Sequence, residues 1–180
     1  MQLIIDTSLP GIRLVLDGHI KMVDTDKQSV ALPVLVEQFL AENDAAFKNL
    51  SAIAVVIGPG SFTGIRLSIA YAKGLSIGLG IPVIPVSAFE IYLETAPDSF
   101  VAIDSGRGDF FVAAADIEPT IMSIDEVETE QMRYARTLGH RPYDLVDALP
   151  IVIRKLESEI PPVIPLYIRP HYAEQNCTNS

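Results

Sequence analysis

The stretch IGPGSFTGIR, Ile57 to Arg66, places glycines at 58, 60 and 64 directly after the apolar run Ala52 to Ile57. A strand that passes into a helix through such a loop can cradle phosphate on the helix amides. The two phosphate motifs of fixed spacing do not fit. A Walker loop would need glycine and then lysine where Thr63 and Gly64 stand. A dinucleotide fingerprint needs two residues before its last glycine, whereas Ser61, Phe62 and Thr63 separate Gly60 from Gly64, and no acidic residue closes the next strand, PVIPVS. What remains is a strand-loop-helix junction whose amides could take an anion and whose Ser61 or Thr63 could cap the helix. Phe62, an aromatic on the loop tip, must either fold back into the core or meet a partner.

Other reactive groups are sparse. His19, His140 and His171 are scattered, with no pair at helical ligand spacing, so a metal site is not expected. Cys177 stands alone in a polar tail, which excludes an intramolecular disulfide and gives no Cys/His or Ser/His/Asp arrangement for nucleophilic catalysis. Asp6 and Asp104 are the more informative pair. IIDTSLPGIRLVLDG and AIDSGRGDFFVAAAD each run through an apolar strand, an Asp, a small hydroxyl residue, a tight turn and a second strand. A lone Asp in this setting serves the turn through local hydrogen bonds, but two in matching contexts point to a duplicated lobe.

The chain must supply elements that position these residues. Its 180 residues, 49% of them hydrophobic, suffice for one well-cored domain or two small lobes. The longest uncharged stretches are broken by glycine and proline and fall short of a membrane helix. Met1 leads straight into the strand-like LIIDTS, without the basic start of a signal peptide, so a cytoplasmic location is expected. Thirteen basic against 23 acidic residues give a net charge of −10, which opposes contact with a phosphate backbone, and no basic stripe offsets it. Nucleic acid is therefore not expected to bind this chain unaided.

Three short β-rich segments open the chain, QLIIDTS, GIRLVLDG and HIKMVDT, the last two joined by the hairpin dipeptide Asp17-Gly18. Leu32, Leu35, Val36, Phe39 and Leu40 follow helical spacing over Ser29 to Asn43, with Pro33 tolerated in the first turn. AIAVVI reads as a strand covered on both faces, Thr63 to Gly78 as a second helix, and PVIPVS and FVAID as further strands around a short helix at Ala88 to Glu94. Asp125 to Glu130 reads as a solvated helix face. The fold class is α/β, a sheet of hairpin and crossover strands flanked by helices. In the second helix Gly64, Ser68, Ala72 and Ser76 recur every four residues, so that one face admits another backbone closely. That neighbour is either the chain's own sheet or a partner protein.

VVIGPGSFTGIRLSIAYAKGLSIGLGIPVIPVSAFE closely resembles the signature of the TsaB family, also called YeaZ, the bacterial paralogue of the TsaD/Kae/glycoprotease group. IIDTS, AIDSGRGDFF and PLYIRP resemble further segments of that family. The resemblance implies an actin-like ATPase fold of two ribonuclease-H-like lobes, here a first lobe at 1–98, a shortened second lobe at 99–172 and a flexible tail at 173–180. It also implies a non-catalytic cytoplasmic subunit that pairs with TsaD, and with TsaE, to place a threonylcarbamoyl group on the tRNA adenosine next to the anticodon. Contact with tRNA would then be indirect, through the complex, with no membrane involvement.

On the same resemblance the partner surface comprises Leu35, Phe39, Phe62, Gly64, Arg66, Ser68 and Ala72, and it would also serve a homodimer in the absence of TsaD. Asp6, Thr7, Ser8, Asp104 and Arg107 would be the remnant of a nucleotide site. No cofactor is expected on this chain alone, and ATP or ADP would sit at the junction with TsaD. The catalytic paralogue's His-x-x-x-His is missing from Ser29 to Asn43, and Lys27-Gln28-Ser29 stands where many relatives carry histidine. Two other readings belong to different classes: an independent actin-like kinase with Asp6, Thr7, Ser8 and Asp104 around phosphates and metal, and a glycoprotease-type metallopeptidase.

Overall fold

The computed structural model describes residues 1–168. His171, Cys177 and the tail expected at 173–180 lie outside the described residues. Five strands form the first sheet: β1 (Gln2–Asp6), β2 (Ile12–Leu16), β3 (His19–Val23), β4 (Ala52–Val56) and β5 (Val83–Val86), in the order β3-β2-β1-β4-β5. The β1–β2 and β2–β3 pairs are antiparallel, and β4 and β5 join in parallel. Asp17 and Gly18 both take positive φ between β2 and β3, as a two-residue hairpin with right-handed strand twist requires.

Because side chains alternate across a strand, each face of this sheet needs its own cover. Leu3 and Ile5 of β1 point toward α1 (Gln28–Glu42) and α2 (Phe62–Leu79), which bury Leu32, Val36, Phe39, Ile65 and Ile69 there. Ile4 points the other way, into a core completed by α3 (Ala88–Thr95) and α5 (Ala148–Leu156). Both α2 and α3 start at serine caps: the Ser61 hydroxyl accepts from the Gly64 amide at 3.2 Å, and Ser87 and Glu90 form a reciprocal capping box. Gly80, at φ 69°, ends α2. Helix α1 begins earlier than the spacing predicts, so Pro33 falls beyond the first turn, on the exposed side.

The second sheet contains β6 (Phe100–Asp104), β7 (Asp109–Ala114), β8 (Ile117–Ser123) and β9 (Thr137–Leu138), in the order β8-β7-β6-β9. A hairpin, a third antiparallel strand and a parallel strand beside the first recur in the arrangement of β3-β2-β1-β4, so the sequence repeat corresponds to a structural duplication. Helix α4 (Ile124–Glu130) packs Val127 against Phe100 and Val112, leaving Asp125, Glu126 and Glu128 exposed. Helix α3 bridges the two sheets, Ile91 facing the first and Phe89 the second. The segment that follows β9 crosses back to the first sheet. Tyr143, Leu145, Ile151 and Val152 return to the first sheet, because its second apolar face would otherwise lie in water.

Candidate functional site

Three features converge at the carboxyl end of β1: the aspartate that ends it, the glycine loop after β4 and the start of α2. The loop lies on the β1 backbone. The Ser61 amide donates to the Ser8 carbonyl at 2.7 Å, and the Thr7 hydroxyl donates to the Gly64 carbonyl at 2.6 Å. A Cβ on Gly60 would stand 2.5 Å from the Ser8 carbonyl oxygen, and one on Gly64 only 1.8 Å from that of Thr7. The glycines are thus demanded by approach of the chain to itself. Of the amides at this junction, those of Ser61 and Gly64 are used within the chain, closing the loop on Ser8 and capping α2.

This geometry corrects part of the expected partner surface. Gly64, Ser68 and Ala72 are buried on the chain's own β1 and β4, Phe39 is buried in the same layer, and Leu35 is half-buried against it. Small residues are needed there because the helix sits almost on the strand. Phe62 and Arg66 of that surface are exposed, with the Arg66 guanidinium 5.0 Å from the Phe62 ring centroid and the Tyr167 ring centroid 5.7 Å from it. The open side of the layer carries residues that pattern alone did not single out. Ile77 is 86% exposed, Val30 and Val34 of α1 are exposed, and nothing lies within 4 Å of a Cβ built on Gly74 or Gly78. The two helices are neighbours: Glu37 of α1, after burial, raises the Tyr71 phenol of α2 above its usual range.

The residues of the supposed nucleotide remnant separate into two groups. Asp6, Thr7 and Ser8 are together and buried. Asp104 and Arg107 stand on the exposed β6–β7 turn, where Asp104 accepts from the Gly106 amide at 2.7 Å and the Arg107 amide donates to the Ser105 hydroxyl at 3.2 Å. Around Asp6 lie two residues that sequence reasoning missed, Arg13 and Tyr143. One Asp6 oxygen accepts from the Ser8 amide at 2.7 Å, the other from the Tyr143 hydroxyl at 2.7 Å and from the Arg13 guanidinium. Arg13 also donates to the Tyr143 carbonyl at 3.1 Å and lies 4.4 Å from its ring centroid. Arg13 leaves a trace in sequence, as a charge in a strand buried along its whole length. Tyr143 leaves none.

Gln28 is the first residue of α1. Its carboxamide donates to the carbonyls of Leu9 at 3.0 Å, Thr7 at 3.3 Å and Gly11, binding the β1–β2 loop. Among the described residues no group of three or more His, Cys, Asp or Glu is placed to hold a metal ion, and no helix is long and apolar enough to cross a membrane.

Burial, and secondarily the Asp6 carboxylate, hold the Tyr143 phenol well above its ordinary range. A raised folded-state value means that the fold favours the protonated phenol. The resulting stability is fully present below the unfolded value of about 10 and is lost as pH rises toward the folded one. Melting temperature should therefore fall above about pH 10 in the native chain, and Tyr143→Phe should flatten that fall while lowering stability at neutral pH.

Two duplicated sheets with helices on their faces and a strand-loop-helix junction at the end of β1 define a protein of the actin-like, ribonuclease-H-like class. Solved structures share the architecture: YeaZ from Pseudomonas aeruginosa superposes with a TM-score of 0.71 at 21% identity over 92% of this chain and 98% of that one. A second structure, described as an uncharacterized protein with similarity to peptidase YEAZ from Pseudomonas aeruginosa, gives 0.73 at 20% identity, covering 93% and 99%. Residues 24–147 match the family model for TsaD, tRNA N6-adenosine threonylcarbamoyltransferase. The chain belongs to this family, and the named relatives it resembles within it include TsaB proteins.

The tRNA threonylcarbamoyladenosine biosynthesis protein TsaB of Escherichia coli K12 is 34% identical over 103 residues, which are 54% of this chain and 44% of that protein. The TsaB of Haemophilus influenzae is 29% identical over 99 residues, 55% of this chain and 39% of that one. The chain thus matches less than half the length of these named relatives.

Proposed function

We infer that this chain is the non-catalytic partner subunit of a tRNA threonylcarbamoylation assembly, docking on the transferase TsaD through the outer face of α1 and α2. The observation that carries this reading is the open side of the helix layer: Ile77, 86% exposed, lies between exposed Gly74 and Gly78 on α2, and α1 presents exposed Val30 and Val34, while the other side of each helix is buried on the first sheet. Apolar and small residues in one helical layer suit close packing against other helices. Phe62 and Arg66, at the start of α2, are of the residue types that anchor interfaces and extend the same surface. Self-association through this layer would compete with TsaD. TsaE joins the complex, and ATP or ADP is held at the junction with TsaD. With a net charge of −10, this chain leaves tRNA contact to its partners.

The test is reconstitution. Cognate TsaD and TsaE, the threonylcarbamoyl donor and tRNA should modify adenosine efficiently with this chain present and at least tenfold more slowly without it. The chain alone should neither modify tRNA nor shift its mobility at micromolar concentration and physiological salt. Modification by this chain alone would overturn the non-catalytic reading; an undiminished rate in its absence would overturn the assignment to the assembly.

A further inference from the structure

We propose that Arg13 is a built-in counter-ion: it occupies the place of a divalent cation at Asp6, so that the first lobe is closed to magnesium nucleotide by its own side chains. The inference concerns the first lobe alone and stands whether or not the chain pairs with a transferase.

Open α/β sheets take ligands outside the carboxyl ends of their strands. Asp6 is the last residue of the central strand β1, at the end where the β4 loop enters α2. The duplicated half permits an internal comparison. Asp104 ends β6 as Asp6 ends β1, and each accepts from the backbone amide two residues on, at 2.7 Å in both turns. The halves differ across the strand pair, where Arg13 stands opposite Asp6 and Phe110 opposite Asp104. Accordingly Asp6 is 1% exposed and ion-paired, while Asp104 is open to solvent.

Both oxygens of Asp6 are engaged, one by the Ser8 amide and the other by Arg13 and the Tyr143 hydroxyl. An incoming cation would have to displace the guanidinium, and a buried charge is strongly disfavoured once its partner leaves. These residues therefore do not fit a bound magnesium nucleotide. The guanidinium is held by the acid more than by its own needs, since its Nε is buried without a hydrogen-bond partner. Beside the Tyr143 ring, the polar atoms around it are oxygens: the Asp6 carboxylate, the Tyr143 carbonyl and hydroxyl, and Ser8 Oγ, which lies 3.4 Å from that hydroxyl. Hard divalent cations take such donors. Without the guanidinium, the same oxygens would surround an uncompensated carboxylate.

Thermal melting with Mn2+ as the probe tests this on the full chain, comparing wild type, Asp6→Asn, Arg13→Ala and the Asp6→Asn/Arg13→Ala double variant. Wild type should melt at one temperature with or without Mn2+ and take up none on equilibrium dialysis. Arg13→Ala should melt lower in chelator and recover by roughly 3–6 °C at ten times its dissociation constant for Mn2+. The double variant should not respond. Mn2+ uptake by wild type that Asp6→Asn abolishes would overturn the proposal, as would an Arg13→Ala chain, folded or unfolded, that is indifferent to Mn2+.

Discussion

Gly64→Ala is expected to destabilise the chain by more than 3 kcal/mol, beyond the roughly 1–3 kcal/mol of ordinary overpacking. The added carbon would lie 1.8 Å from the Thr7 carbonyl oxygen and 2.8 Å from its carbon, so the obstacle is backbone, which cannot rotate away. Moving α2 outward would also break the 2.6 Å hydrogen bond from the Thr7 hydroxyl to Gly64 and disturb the bond from the Ser61 amide to Ser8. For a chain of this size the fall in melting temperature should be about 6–12 °C or more. Gly74→Ala is the matched control, because nothing lies within 4 Å of its Cβ and it lies in the interior of the same helix. That change should stabilise by up to about 1 kcal/mol. Circular dichroism melting of both variants checks the pair, and a Gly64→Ala chain melting with wild type would show that the loop does not rest on β1 as described.

Ile77→Arg should have the opposite profile, a stable chain with a weakened partnership. At 86% exposure Ile77 contributes little to the fold, so melting should shift by no more than about 0.5 kcal/mol in equivalent stability. In a packed helical interface an arginine there would bury an unpaired charge beside Gly74 and Gly78, and loss of an anchor typically amounts to 2 kcal/mol or more, about thirtyfold in affinity. Ala72→Trp separates the two sides of α2. Ala72 is fully buried on the chain's own sheet, so tryptophan should unfold the monomer, with any loss of association following from that. Isothermal titration against TsaD, with melting curves alongside, distinguishes these outcomes. Ile77→Arg binding as tightly as wild type would remove the outer face of α2 from the interface.

The first lobe was legible because its signals are local and strong. Alternation and apolar runs mark β1 to β6, and helical spacing marks α1 to α3, with a hydroxyl cap expected for α2, each within a residue or two of the observed ends. The duplication was visible in the two Asp-bearing turns and appears as matching strand orders. The small-residue stripe in α2 was read correctly as a site of close approach, but spacing does not name the neighbour. The helix interior facing β1 carries Gly64, Ser68 and Ala72, while Gly74 and Gly78 belong to a different, open side. The Asp6 cluster was half visible. A buried carboxylate needs a partner, yet Tyr143 arrives from 137 residues away through packing of a segment with no periodic signature before α5. Strands as short as β9, two residues long, are fixed by the sheet they join and not by their own composition.

The most direct test of the account is the mass of the wild-type chain in solution, alone and mixed with its cognate TsaD, by sedimentation or light scattering. The account predicts one discrete species on mixing, at the summed mass of the two chains, that forms at the expense of any self-associated form and is lost with Ile77→Arg. Two chains that migrate independently at micromolar concentration, each at the mass it shows alone, would contradict it.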